Sequence, residues 1–352
     1  MLKLKHLLIL LLFLLSGKMI GQNECQDNID KANKLFEDGI FREAEKLIKK
    51  TLVSCSLSKT QEDELLKLIS SVYYEMDEIE QGDEYTEEFL KKNPYYIPSK
   101  KNDPIRFREA VQKLKSWPRF SVGIRGGLPL GFVETMKVFP ILDSAQYLDP
   151  YSIKPSFLVA LDLGWNLNNF ISINFGGGYR VQKIQHRVLQ YNLIYFNYEE
   201  IASTINIPLT LQFNIPTGSN FIPALFIGGE FNLFSSATYS YSYTGNSSDL
   251  GDFSFYLNRK RNNVEIDKQY RNQYRYAALG GIRLIYKLKN FSIYADGRYI
   301  KELNLYNNAD NHFNDIELNL ENNYTLGDLQ LENLDISLGF SYHFSYKVKS
   351  KY

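Results

Sequence analysis

Seven charged residues, Arg125, Asp162, Arg180, Glu230, Arg283, Asp296 and Arg298, lie in stretches where every second residue is apolar, and each sits on the polar phase. Strands that bury this phase would bring the seven together in one interior. Two chemistries suit such a set: an aqueous path for solutes, or a network of ion pairs that fills the space. A charge taken out of water needs a partner. Arginines interleaved with carboxylates provide partners for each other, so a plug is expected rather than a pore. Covalent catalysis needs a nucleophile beside an oriented base. Of the 4 histidines, His6 belongs to the basic start of the chain, His186 and His312 fall in or near long connections, and His343 has inward parity in the last strand-like stretch. None has a serine motif near it, so no catalytic residue is assigned and no enzymatic activity is expected. With only 2 cysteines, Cys25 and Cys55, and no histidine near them, neither a metal site nor a cofactor site is expected. Gly176-Gly177-Gly178 lies inside a strand-like stretch, where it suits curvature or close packing and not phosphate binding.

The elements that must position these residues change character near residue 119. Of the aromatic residues, 11 fall in residues 1–118 and 40 in residues 119–352, which separates two physical environments. The 40 basic and 40 acidic side chains cancel, so the positive field of a nucleic-acid binder is absent and no nucleic-acid partner is expected. From Phe120 onward, alternation with period two marks eight strands; Phe157, Val159, Leu161, Leu163 and Trp165 form one apolar phase, and Leu334 to Phe344 carry the last. A water-soluble barrel would turn this phase inward, whereas a membrane barrel turns it toward lipid and keeps its polar residues inside. Connections alternate between short (166–169, 215–220, 287–290) and long (129–155, 183–199, 235–273, 302–332), as in barrels with short periplasmic turns and long external loops. The final stretch, with Phe340, Tyr342 and Phe344, resembles the terminal-strand signal read during outer-membrane insertion, which implies the barrel-assembly machinery as a transient partner. The charged polar phase and the aromatic ends of the apolar phase favour the membrane barrel.

Lys3, Lys5 and the apolar run Leu7 to Leu15 read as a secretory signal peptide, too short to span a bilayer, with cleavage expected after Gly21. Residues 22–118 carry helical periodicity. Gly39, Phe41, Ala44 and Leu52 recur as Asp77, Ile79, Gly82 and Leu90, each displaced by 38 positions. The stretches Leu35 to Ala44 and Val72 to Ile79, the second followed by Asn93-Pro94, resemble tetratricopeptide repeats, with a four-residue insertion near Cys55 relative to the ~34-residue period. Cys25 precedes the first helix and Cys55 follows the second. In an antiparallel hairpin these positions are adjacent, so an exported chain would join them in a disulfide; two separate buried thiols are the alternative. Asp103 is placed to cap a last helix whose first position suits Pro104. That segment would cover the face of the last repeat, or hold a peptide.

Ile205 to Phe213, the segment Pro223 to Gly229, Ala295 to Tyr299 and the terminal strand resemble the PorT-like outer-membrane β-barrel family. The resemblance covers residues 119–344 and implies an eight-stranded barrel from Bacteroidetes, one member of the family being an accessory of type IX secretion. The long third and fourth external loops and the added helices depart from its plainest members. The expected architecture is therefore α + β and multidomain. It has a signal peptide (1–21), a periplasmic tetratricopeptide-like helical domain (22–118), an eight-stranded antiparallel transmembrane barrel (119–344) and a C-terminal tail (345–352). Its expected role is a non-enzymatic anchor in the outer membrane of a Gram-negative bacterium, contacting lipid and binding a protein partner through residues 23–116. A stand-alone transport or surface-binding barrel is the alternative.

Overall fold

The computed structural model describes residues 24–100, 103–139, 151–190, 194–217, 219–245, 259–311 and 313–350; the signal-peptide segment and His312 lie outside them. The chain divides into two compact units, Met1–Pro118 with Ser345–Tyr352, and Arg119–Phe344.

The first unit is built on helices α1 (24–37), α2 (Phe41–Ser54), α3 (Lys59–Glu75), α4 (Ile79–Lys92) and α5 (Ile105–Lys113). Its two helical hairpins turn at equivalent residues: Gly39 has φ +76° and Asp77 has φ +58°. Aspartate is among the few non-glycine residues that enter this region readily. A capping box opens α3, with Ser58 accepting from the Gln61 N–H while the Gln61 side chain accepts from the Ser58 N–H. The small residues of the repeat set the helix spacing. Ala44 is fully buried, and a Cβ added at Gly82 would lie 2.6 Å from the Tyr74 ring. Cys25 and Cys55 are joined in a disulfide that closes the first hairpin.

Helix α5 packs Phe107 against Phe89 and Tyr96, covering the second hairpin. Asp103 does not cap it. Pro104 takes the N-cap position with no side-chain bond. The Asp103 carboxylate instead accepts from the Ser99 N–H (2.7 Å) and the Tyr96 hydroxyl (2.6 Å) and pairs with Lys67 (2.7 Å). A buried carboxylate gains more from a cation than from one exposed helix end. The last eight residues, set apart by sequence as a tail, belong to this unit. Val348 is buried with Leu66, Phe89, Phe107 and Val111, and the Tyr346 ring meets Tyr95 edge to face with their hydroxyls 3.0 Å apart.

The second unit is a meander of eight long strands, the outer ends of the first and last of which (114–118 and 345–350) count with the first unit: β1 (Leu114–Lys137), β3 (Leu158–Asn166), β4 (Ile171–Gln190), β5 (Ile194–Asn214), β6 (Phe221–Gly245), β8 (Tyr274–Leu288), β9 (Phe291–Glu302) and β10 (Asp328–Ser350). Sequence neighbours pair antiparallel, and the path β4-β3-β1-β10-β9-β8-β6-β5 returns on itself through β4–β5 pairing, which makes a ring. Two short strands, β2 (Ser152–Lys154) on β4 and β7 (Lys260–Glu265) on β6, widen one side. One end of the ring, the near end, holds its short turns and residues 119 and 344; the described parts of the long connections lie at the far end.

The ring is inverted relative to a water-soluble barrel. Leu338 and Ile227 are 67% and 64% exposed, while Asp335 and Glu230 on the same strands are 0% and 4% exposed. On β10 the outward apolar run extends from Leu334 to Phe344. At ~3.3 Å per residue and a tilt of ~40° it is roughly 25 Å tall, the height of a bilayer's apolar band.

Farther along the strands the pattern reverses. On β4 the inward residues change from Arg180 and Gln182 to Ile184 and Val188, and the outward ones from Tyr179 and Val181 to Lys183 and Arg187. On β5, Ile194, Phe196 and Tyr198 point inward; on β6 a register shift beyond Phe234 lets Tyr239, Tyr241 and Tyr243 do the same. These residues form a second core with Tyr306, Leu318, Tyr324 and Leu326 from the connection before β10. Residues 183–199 are therefore mostly a strand hairpin rather than a loop. The alternating phase continues there, with its apolar and polar sides exchanged.

Candidate functional site: the ring interior, the far-end face and the helical groove

The interior charges form three groups stacked along the ring. Near the short turns, Arg125 Nε donates to Asp162 Oδ2 (3.1 Å), which also accepts from the Tyr294 hydroxyl (2.8 Å). Arg283 binds both oxygens of Asp296 (2.6 and 2.7 Å), and Arg298 shares Asp296 Oδ2 (2.7 Å). These five come from β1, β3, β8 and β9, so the group ties both halves of the ring. Midway, Arg180 donates to Glu230 (2.8 Å) and to Asp335 (2.8 Å), linking β4, β6 and β10. Higher still, Arg275 pairs with Glu302 (3.4 Å) and donates to Thr204 (3.1 Å) beneath the Tyr306 ring. The second core above holds one more ion pair. Glu200 accepts from both Nε and Nη2 of Arg271 (2.9 and 2.6 Å) and from the hydroxyls of Tyr198 (2.7 Å) and Tyr306 (2.5 Å).

The seven charges singled out in the sequence thus fall into the two lower groups, together with Asp335. Sequence reasoning missed Asp335, Arg275, Glu302, Glu200 and Arg271. The first four lie on the inward phase of their strands: Asp335 sits between the outward Leu334 and Ile336, and Arg275, Glu302 and Glu200 would have been found by extending each alternation past its apolar residues. Arg271 lies outside the strands and carries no such signal. Among the described residues, six arginines and six carboxylates now face one another: Arg125, Arg180, Arg271, Arg275, Arg283 and Arg298 with Asp162, Glu200, Glu230, Asp296, Glu302 and Asp335. The set is electrically neutral. Low local dielectric strengthens each pair but makes an unpaired charge costly, so the network is cohesive and intolerant of single losses.

Histidine geometry offers little general-base chemistry. His343 Nε2 lies 2.9 Å from Ser292 Oγ, a residue far away in sequence, and Ser292 Oγ lies 2.7 Å from Ser341 Oγ. Ser292 is 1% exposed, and His343 Nδ1 has no hydrogen-bond partner among the described residues to orient the ring. His186 is not in a loop. It lies on β4 in the far-end core, stacked on Tyr151 at 3.8 Å with Nδ1 3.0 Å from the Tyr324 hydroxyl. Phe340, Tyr342 and Phe344 face outward on β10; Phe340 stacks on Phe291, and Phe344 meets Phe120.

Among the described residues, two open surfaces could receive a ligand or partner. On the outer side of the far end, the strands β2, β4, β5, β6 and β7 curve around a polar depression of about 590 Å³ lined by Gln185, Arg187, Asn197, Glu199, Ser242 and Asn262, among others. In the helical unit, α1 and α3 border a groove of about 400 Å³ lined by Asn33, Phe36, Glu37, Glu64, Lys67 and Ser71. Burial raises the Asp103 carboxyl behind this groove. Hydrogen bonds from Lys67, Tyr96 and the Ser99 N–H outweigh it and hold the group below the usual carboxylate range.

No family model matches the chain, and no curated protein does. Among solved structures, it is similar to the Neisserial surface protein A, at 13% identity over 65% of this chain and 99% of that one, with a TM-score of 0.30. It is also similar to the outer membrane protein OprG of Pseudomonas aeruginosa (11% identity, 64% and 97% covered, TM-score 0.32). A third is a major outer membrane protein of Thermus thermophilus (13% identity, 64% and 98% covered, TM-score 0.31).

Proposed function

We propose that this chain is a non-enzymatic outer-membrane β-barrel that anchors a periplasmic helical adaptor, as an accessory or scaffold subunit of a secretion or envelope-assembly complex. The mutual pairing of the interior charges carries this reading. A ring whose interior is occupied by its own ion pairs is suited to holding a position in lipid rather than to passing solutes. The outward apolar belt supports the membrane assignment. Residues 119 and 344 share the near end with the short turns, which in outer-membrane barrels face the periplasm, and this supports a periplasmic location for residues 22–118. The α1–α3 groove offers a binding surface to a peptide or helix of a partner. The resemblance of residues 119–344 to PorT-like barrels points to a type IX-like machine and a Bacteroidetes source. The outward aromatics Phe340, Tyr342 and Phe344 suit recognition by the barrel-assembly machinery. A surface-binding barrel is the second reading, favoured by the polar depression at the far end.

The test is to purify the tagged full-length protein from native membranes in mild detergent and identify what accompanies it. Secretion or assembly subunits should be recovered, and lost both on deletion of residues 23–116 and in the groove variant Asn33→Arg/Glu37→Arg. Recovery of the barrel alone would overturn the adaptor reading in favour of the second, and discrete single-channel conductance in planar bilayers would overturn it in favour of a transport barrel.

A further inference from the structure

Just beyond the apolar belt, the outward face of the ring is not uniform. On the β9–β10–β1 side, Lys301 is bound by Glu332 (2.7 Å) and Glu134 (3.4 Å), so acids outnumber the cation. On the side widened by β2 and β7 the balance reverses. Lys154 and Lys183 stand directly opposite one another on β2 and β4. Like charges in this position repel. Only Lys183 has a carboxylate, Glu199 at 2.7 Å. Two rows farther out, Arg187 stacks on Tyr195 at 3.6 Å, and Lys260 pairs across the sheet with Ser242. Among the described residues, no ion pair neutralises Lys154, Arg187 or Lys260. Arg187 lines the depression of about 590 Å³ together with Glu199, which Lys183 neutralises, and with the amides and hydroxyls of Gln185, Asn197, Ser242 and Asn262; Lys154 lies two residues from the bordering Ser152, and Lys260 lies opposite Ser242.

We infer that this face binds the phosphorylated saccharide headgroup of a glycolipid in the surrounding leaflet. The inference rests on the membrane reading above and names what borders the barrel there. The face continues the apolar belt without interruption: on β4 and β5, Val181 and Ile201 are followed outward by Lys183 and Glu199. A molecule whose acyl chains lie on Tyr179, Val181, Ile201 and Ile205 therefore presents its headgroup to the depression. Cations around the rim suit phosphates, since basic side chains at a membrane surface attract anionic headgroups. The neutral amides and hydroxyls between them match sugar hydroxyls, which a simple phospholipid lacks. The charge asymmetry places such a lipid on one side of the ring only.

The experiment is native mass spectrometry of the full-length protein released from vesicles doped with a bis-phosphorylated glycolipid (lipid A), its dephosphorylated form, or phosphatidylglycerol. The wild type should retain lipid A more tightly than either control. The variant Lys154→Gln/Arg187→Gln/Lys260→Gln should retain it roughly a hundredfold less, about fivefold per cation removed. Arg187→Gln alone, which leaves the strands' ladder intact, should lose about fivefold and serves if the triple variant misfolds. Equal retention by wild type and Arg187→Gln, or phosphatidylglycerol held as tightly as lipid A, overturns the inference while leaving the membrane reading standing. Failure of the wild type to insert into vesicles overturns both.

Discussion

Arg180 is the residue whose loss the ring should tolerate least. Its guanidinium neutralises two carboxylates at once, Glu230 and Asp335, whose side chains are 1% and 0% exposed. Arg180→Met keeps much of the volume but leaves both acids without their cation. Removing one member of a buried pair costs about 3–5 kcal/mol. Two orphaned carboxylates on facing strands place the expected loss at the upper end of that range. With a urea slope of ~2 kcal/mol/M, the unfolding midpoint in lipid vesicles should fall by about 2–2.5 M. Neutralising all three, as Arg180→Met/Glu230→Gln/Asp335→Asn, should recover most of the loss, because the penalty lies in the uncompensated charge and not in the missing bonds. Tryptophan fluorescence and the shift between folded and heat-denatured mobility on gels both report the transition. A midpoint shift under ~0.5 M for Arg180→Met, or a triple variant no better than the single, would refute the argument that paired charges fill the interior.

Two further outcomes test the helical unit. Val348→Asp puts a charge among Phe89, Phe107 and Val111; in the intact protein it should lower the helical melt at 222 nm by an amount equivalent to ~3 kcal/mol, with the heat-modifiable mobility of the barrel unchanged. Equal melts would show that the last residues are dispensable there. Asp103 titrates below its ordinary value, so its carboxylate contributes stability above the unfolded value of ~3.9 and loses it as pH falls through the lower folded value. The gap in melting temperature between wild type and Asp103→Asn should thus be full at neutral pH and close below about pH 4; a gap independent of pH would sink this account.

The membrane-facing part of the fold was legible because strand alternation there is strict. The outward aliphatics on β3 and the Leu334 to Phe344 run identify both the strands and the buried phase opposite them, and the seven interior charges follow from parity alone. Legibility ended where the solvent changed. Beyond Gln182 on β4 the inward phase becomes Ile184 and Val188 while Lys183 and Arg187 turn outward, and a reader tracking apolar residues as the outer face loses the strand. The signal was present, since alternation never stops; only its sign reverses. On β6 the register shift near Ser235 also moves the inward phase from even to odd numbers, which no count of alternating residues carries through. Asp103 shows a different limit. Its position before Pro104 satisfied the local rule for a helix cap, but Lys67 on another helix offered the carboxylate a cation that the local pattern could not reveal.

The reversal along each strand also bears on what the ring can do. A barrel that carried solutes would need a continuous polar path, yet the polar interior meets an apolar core at the level of Ile184, Ala202 and Leu331. Side chains bridge the two layers. Arg275 and Glu302 form the top of the charged layer, Tyr306 lies over Arg275, and the Tyr306 hydroxyl reaches up to Glu200 in the layer above. Opening a passage would require breaking the Glu200–Arg271 pair and lifting Tyr306 and Tyr324, both fully buried, out of an aromatic cluster. Such a rearrangement forfeits apolar burial worth ~2 kcal/mol or more for each aromatic side chain and exposes an ion pair with no replacement partner. Under the anchor reading proposed above, the energy stored in both layers is what would oppose conduction. On that reading the surfaces that need no such opening, the groove of the helical unit and the outer face of the far end, are the ones proposed for recognition.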